Sequence, residues 1–203
     1  MRRRLALVVG SVFLTISVTG CATATAGAGL STPVVTSESN LTNEPTAAPD
    51  SEPAVALDSE AAAAREQAQT WLDAATLPPG AVRSDMKIGG FNSYTGWPCG
   101  PIEELEAFWK IPDATVHDTA NWLMENPTAG LITTAFGPAS DNPAISSAMV
   151  GYIPEPDAQE GIVYTIAKTT DGVVVRAEIA ALTESAVCPP PPGGGAWGAP
   201  GHG

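Results

Sequence analysis

The chain has 203 residues, 22 acidic side chains against nine Lys and Arg, and a formal net charge of −13. This balance argues against nucleic acid as a partner, because phosphate contacts need clustered Lys and Arg, and against side-chain docking on anionic headgroups. With only two His and three Cys, no metal, cofactor or catalytic motif rises above the background of a small domain.

The first twenty residues read as an export signal. Arg2, Arg3 and Arg4 form a positive start, and Leu5 to Val18 an apolar run of 14 residues. A helix of that length reaches only about 21 Å, short of the roughly 30 Å hydrocarbon core, so a secretory apolar region fits better than a membrane span. The residues that follow a twin-arginine pair are missing, which leaves the general secretion route. The run ends Val18-Thr19-Gly20-Cys21 and resembles a bacterial lipobox: an aliphatic residue, two small residues, then Cys. The resemblance implies diacylglycerol in thioether linkage on Cys21, palmitate-type acylation, cleavage before Cys21, and residence at the outer face of the cell membrane. Two acyl chains hold a protein there stably where one holds it marginally. Loss of residues 1–20 leaves six basic and 22 acidic side chains, a net charge of −16.

Residues 21–58 predict a disordered tether. They are rich in Ala, Thr, Ser, Pro and Glu, without aromatic residues, Lys or Arg, and bury too little apolar surface to offset ordering entropy. Their mean span is roughly 30–40 Å.

A domain over 59–188 follows. Ser59 to Ala75 predicts a helix capped by Ser59, with Ala64, Ala68, Trp71 and Leu72 on one face; Leu77-Pro78-Pro79-Gly80 ends it. Ala81 to Ser93 has room for one strand, weakened by Gly89-Gly90. Leu105 to Ile111 predicts a strand with Leu105, Ala107, Trp109 and Ile111 on one face. A second helix is expected over 113–125, with Val116, Ala120, Leu123 and Met124 inward and Asn126-Pro127 as its stop. Short strands follow at 132–136 and 148–153. From Gly161 to Ser185, two β-rich runs flank Asp171-Gly172, a two-residue hairpin signal. That turn pairs Lys168 with Val175, Ile166 with Ala177 and Tyr164 with Ile179, and sets Thr165 opposite Glu178. Tyr164, Ile166, Val175, Ala177 and Ile179 then share the core face. Residues 189–203, four Pro and then a Gly-rich run with Trp197 and His202, predict a disordered tail.

With Cys21 assigned to lipid, Cys99 and Cys188 are expected to form one disulfide in an exported domain. Helix, strands, helix, strands predicts an α+β fold: two helices on a mostly antiparallel sheet.

The search for chemistry returns little. His117 sits beside Asp118 on a helix, where adjacent residues do not face each other, and His202 lies in the tail. Glu103, Glu104 and Glu106 are close in sequence, but a hydrolase needs two acids facing one cleft. Asp141-Asn142 and Asp157 lack the spacing of a calcium loop, and Gly193 to Gly195 the context of a phosphate loop. Phe91, Tyr94 and Trp97, in a Gly/Ser/Pro-rich segment before Cys99, are the candidate contact residues, because exposed aromatics stack on sugar rings or anchor protein contacts.

Three segments carry a wider resemblance: Trp71-Leu72 leading into Leu77-Pro78-Pro79-Gly80-Ala81, Phe108-Trp109-Lys110-Ile111-Pro112 before a helix, and Trp122-Leu123 followed by Asn126-Pro127 and Gly130. Over residues 65–182 the chain is similar to a group of actinobacterial secreted or lipid-anchored proteins with no assigned activity. The resemblance implies location and fold and transfers no functional residue. The expectation is a non-enzymatic envelope lipoprotein that binds a protein or cell-wall ligand near Phe91–Trp97. The alternatives are a small-molecule or lipid carrier with a cleft between helices and sheet and, third, a hydrolase using paired carboxylates.

Overall fold

A computed structural model describes residues 52–85, 87–91 and 93–202. The export signal, Cys21 and nearly all of the tether fall outside the described residues. The elements are α1 (Glu52–Ala74), β1 (Val82–Ser84), β2 (Gly100–Pro112), α2 (Val116–Glu125), β3 (Ile132–Thr133), β4 (Ser147–Ile153), β5 (Gly161–Thr169) and β6 (Gly172–Val187). The six strands form one antiparallel sheet in the order β1-β2-β6-β5-β4-β3. The expected α+β fold, two helices packed on an antiparallel sheet, is what the chain adopts. No helix among the described residues is long and apolar enough to cross a membrane.

The pleat explains the core. Alternate strand residues point to one face, and on the helix face these are Ala107, Trp109 and Ile111 of β2, Tyr164 and Ile166 of β5, and Val173, Val175, Ala177 and Ile179 of β6. Ala64, Ala68, Trp71 and Leu72 of α1 and Val116, Ala120 and Leu123 of α2 close over them, at the spacings the sequence predicts. Thr115 caps α2, its hydroxyl accepting from the Asp118 amide at 3.0 Å, and Asn126 ends it. The Cys99–Cys188 disulfide joins the start of β2 to the end of β6, whose register already sets Gly100 beside Val187.

Three expectations are corrected. First, α1 begins at Glu52, inside the segment read as tether. Ser59 is an interior residue, its hydroxyl donating to Ala56 O at 2.7 Å instead of capping. Pro53 falls in the first turn, where a missing N–H costs nothing. Second, the β5–β6 hairpin turns at Thr170-Asp171, with Thr169 opposite Gly172, Ile166 opposite Val175 and Thr165 opposite Arg176. The register is displaced by two residues from the one an Asp171-Gly172 turn sets, and a slip of two keeps every side chain on its face. Gly172 is needed inside the strand instead: at φ 141° a Cβ there would lie 2.2 Å from Ile111 O. Third, the Pro/Gly-rich tail is not loose along its length. Trp197 Nε1 donates to Pro189 O at 2.7 Å, Gln159 Nε2 to Gly198 O at 3.4 Å, and Pro200 is buried.

The first and third expected strands are shorter than the sequence suggests. Of residues 81–93 only Val82–Ser84 pair with β2, and only Ile132–Thr133 pair with β4.

Candidate functional site

The sheet face opposite the helices is covered not by secondary structure but by two pieces of loop. Residues 87–91 and 93–99 form a strap over β2 and β6, and residues 197–202 lie against β3 and β4.

The strap is held by a buried charge pair. Arg176 and Glu178 stand two apart on β6, so both point to the open face. Arg176 is fully buried and its Nη2 donates to Glu178 Oε2 at 2.6 Å, to Ser93 O at 2.6 Å and to Thr165 Oγ1 at 3.4 Å. Its guanidinium lies 4.8 Å from the Phe91 ring centre and 4.4 Å from that of Tyr94, both within cation–π range. Glu178 in turn accepts from the Thr95 amide at 3.1 Å and from its hydroxyl at 3.0 Å. Two charges taken out of water are tolerated only when paired and hydrogen-bonded, and here the strap supplies the remaining partners. Arg176 Nε and Nη1 find no acceptor among the described residues, so the network is incomplete, and an unmet buried donor costs about 1–3 kcal/mol.

The three aromatics of the candidate patch therefore take different roles. Phe91 is buried, packed on Phe108 at 6.1 Å and on Val174 in a second small core. Tyr94 is 58% exposed and hydrogen-bonded to the Lys87 ammonium. Trp97 is half-buried, its indole N–H without a partner among the described residues.

At the other edge, Thr134 Oγ1 donates to Pro200 O at 3.2 Å, and His202 Nε2 to Thr134 O at 2.6 Å. Gly151 makes room for this contact, since a Cβ there would stand 2.0 Å from Pro200 O. The His202 ring lies 4.5 Å from that of Phe136, so the tail histidine, expected to stand without support, is seated.

Between strap and tail runs a groove made of two adjoining clefts. One, of about 470 Å3, is lined by Gly90, Phe91 and Ser93 of the strap and by Ser147, Met149, Thr165 and Ala167 of the sheet. The other, of about 300 Å3, lies between Ser93–Gly96 and Trp197–His202. Ser93, Met149 and Gly201 line both. The register explains the floor: Met149 pairs with Thr165 and Ser147 with Ala167, which sets all four on the open face.

The remaining candidates do not converge. Glu103 faces α1 and pairs with Arg65 at 2.9 Å, with the Arg65 side chain largely exposed. Glu104 and Glu106 are exposed; Glu106 has Glu178 as its cross-strand neighbour, but Glu178 is already engaged by Arg176 and Thr95. His117 Nδ1 lies 3.1 Å from Ala139 O, and the ring's side-chain hydrogen-bond neighbour among the described residues is Asn121. A cleft of about 490 Å3 beside the start of α2 is lined by Asp113, Asp118, Asp141 and Asp171 with Lys168. No set of three or more His, Cys, Asp or Glu among the described residues is arranged to hold a metal ion. The space between helices and sheet is filled by Trp71, Trp109, Tyr152 and Tyr164, and the main clefts open elsewhere.

Sequence reasoning missed Arg176, Glu178, Met149 and the tail. One signal was present: Arg176 and Glu178 are the only charges in the run from Gly172 to Leu182, and a strand apolar on both faces that carries two opposite charges at i and i+2 marks a buried polar network.

No protein-family model matches the chain, and neither a curated protein nor a solved structure matches it significantly.

Proposed function

We propose that the chain is an exported lipoprotein, anchored through Cys21 at the outer face of the cell membrane, whose domain binds a protein or cell-wall ligand without chemistry. The observation that carries the binding reading is the groove. It opens on the sheet face away from the helices, it is walled by the strap that holds Phe91 and Tyr94, and its two clefts fall in the range of about 300–1,000 Å3 usual for ligand pockets. The membrane part of the reading rests on the Val18-Thr19-Gly20-Cys21 pattern and on the resemblance to actinobacterial lipid-anchored proteins. The carrier alternative draws no support from the filled helix–sheet space, and the hydrolase alternative none from Glu103, which pairs with Arg65, or from Glu104 and Glu106, which are exposed and line none of the clefts described above.

The test uses intact cells expressing the full chain with a photo-crosslinking residue in place of Tyr94, beside the same protein carrying Cys21→Ala. The expected result is a radiolabelled fatty-acyl chain on the parent and none on the Cys21→Ala protein, with crosslinks to envelope material only when the probe is at the groove. Absence of acylation overturns the anchor. Equal crosslinking from a probe on the far surface of α1 overturns the site.

A further inference from the structure

The groove's lining is unusual for so acidic a chain. Among the described residues that line its two clefts there is no Asp or Glu, although the chain carries 22. Lys168 borders one cleft, but the pleat turns its side chain to the helix face with Ile166, and its ammonium donates to Pro143 O at 3.3 Å on that side. Arg176, behind Thr165, is neutralised by Glu178 at 2.6 Å. The described residues that line the clefts therefore offer no carboxylate, and the basic groups about them are engaged, the Lys87 ammonium by the Tyr94 hydroxyl and His202 Nε2 by Thr134 O. The groove's exposed polar groups are the hydroxyls of Ser93 and Ser147, beside Tyr94, Met149 and Trp197; Thr165, Gln159 and Phe91 border the clefts but are buried, Thr165 accepting from Arg176 and Gln159 donating to Gly198 O.

Each ligand class sets its own demand on such a surface. An anionic ligand needs an unpaired cation facing it, and a cationic one needs free carboxylates; among the described residues that line the clefts there is no carboxylate, and the nearby cations Arg176 and Lys87 are held by Glu178 and by the Tyr94 hydroxyl. A purely apolar ligand leaves the hydroxyls unpaired. A neutral ring that carries hydroxyls on its edge and C–H groups on its face satisfies both halves, the edge by hydrogen bonds and the face against aromatic planes. An extended peptide adding to the sheet pairs through main-chain groups at a strand edge, whereas the floor of the groove is a sheet face that presents the side chains of Ser147, Met149, Thr165 and Ala167.

We infer that the groove between the strap (residues 90–91 and 93–97) and residues 197–202 binds a neutral saccharide, with Tyr94 and Trp197 as stacking walls, Met149 as floor, and the exposed hydroxyls of Ser93 and Ser147 as its hydrogen-bonding groups. This rests on the binding reading above and names its ligand. Arg176 and Glu178 hold the strap as one wall, and the close approach of Pro200 to Gly151 holds the tail as the other.

The experiment is a calorimetric and fluorescence titration of the full, detergent-solubilised chain with a neutral β-linked N-acetylglucosamine tetrasaccharide, an acidic uronate oligosaccharide of equal length, and a Pro/Gly-rich peptide. Saturable binding of the neutral sugar alone is expected. Met149→Arg, which fills an exposed part of the floor, and Trp197→Ala, which touches only the tail, should each weaken it about tenfold or more with an unchanged melting temperature. Binding that survives both variants, tighter binding of the uronate or the peptide, or no saturable binding of the sugar overturns the inference. If the sugar fails while a photo-crosslinker at Tyr94 captures an envelope protein, the binding reading stands with a protein ligand. If both fail, both fall.

Discussion

Arg176 decides more than any other single residue. It is the largest fully buried side chain among the described residues, and it ties the strap, through Ser93 at a separation of 83 residues, to Thr165 on β5 and Glu178 on β6. Removing one partner of a buried ion pair leaves the other charge without compensation, at about 3–5 kcal/mol, whereas replacing both by apolar residues of similar size is close to neutral. Arg176→Met should therefore lower the stability read from urea unfolding by that amount, and Arg176→Met with Glu178→Leu should regain most of it. A double variant no more stable than the single would show that the pair's role is not charge compensation. The three aromatics are legible in the sequence as candidates, but their division of roles is not. Phe91 is committed to a core with Phe108 and Val174, and Tyr94 is left at the surface, because the strap's path relative to β6 sets which ring goes under.

Among the elements, the strap and the tail matter most, and both lack regular structure. They share a physical problem: loop backbone laid over a sheet face must find partners other than a ladder. The strap finds Arg176 and Glu178, and the tail finds Thr134 and Gln159. Gly151 is the seat that makes the tail's approach possible, with a Cβ there placed 2.0 Å from Pro200 O and 2.6 Å from Thr134 Oγ1. Gly151→Ala should dislodge the tail while β4 stays paired. Amide exchange at residues 198–202 should quicken about tenfold or more, roughly 1.4 kcal/mol of lost local protection, with β5 and β6 unaffected. Unchanged tail protection would mean that the seat relaxes around the methyl. Helix and strand placements are largely readable from period, since both helices and the long strands carry their apolar residues at the expected positions. The hairpin register is not. Asp171-Gly172 is a sound local signal, and it loses to a non-local one, the close approach of Ile111 O to Gly172 from the neighbouring strand.

As a whole, the domain is one helix–sheet core with a thinner second layer across the sheet. The main core contains two buried tyrosines in edge contact, Tyr152 and Tyr164, with ring centres 5.3 Å apart. Burial pushes the Tyr164 hydroxyl up to about 12 from 10.0 and raises that of Tyr152 as well, with the neighbouring tyrosine adding to the effect. The folded state thus holds these protons at a pH where the unfolded chain releases them. Stability from this source is complete below about pH 10 and is lost as pH rises from there through 12. Urea unfolding near pH 8 and near pH 11 should show a clearly lower midpoint at the higher value. A flat profile would indicate that the two hydroxyls are reached by solvent. At the acid end, Lys110 at 2.7 Å holds the Asp171 carboxyl below its ordinary range; both groups are largely exposed, so the consequence is a local titration shift removed by Lys110→Ala.

Neighbours along the chain dictate the spacing that builds α1, α2 and the long strands, the core face of each, and the class of fold, and all of this can be read from the order of residues. The cysteine count points to the Cys99–Cys188 link once Cys21 is set aside as the proposed lipid site, and the structure contains that bond. The register of β5 on β6, the burial of Arg176, and the folding back of a Pro/Gly-rich tail onto Gly151 and Thr134 are settled only in three dimensions. Each turns on contacts between segments distant in sequence, where a backbone carbonyl or a single missing methyl sets the outcome. Local propensity has no access to such contacts, and the groove exists only because two of them meet across the same sheet face.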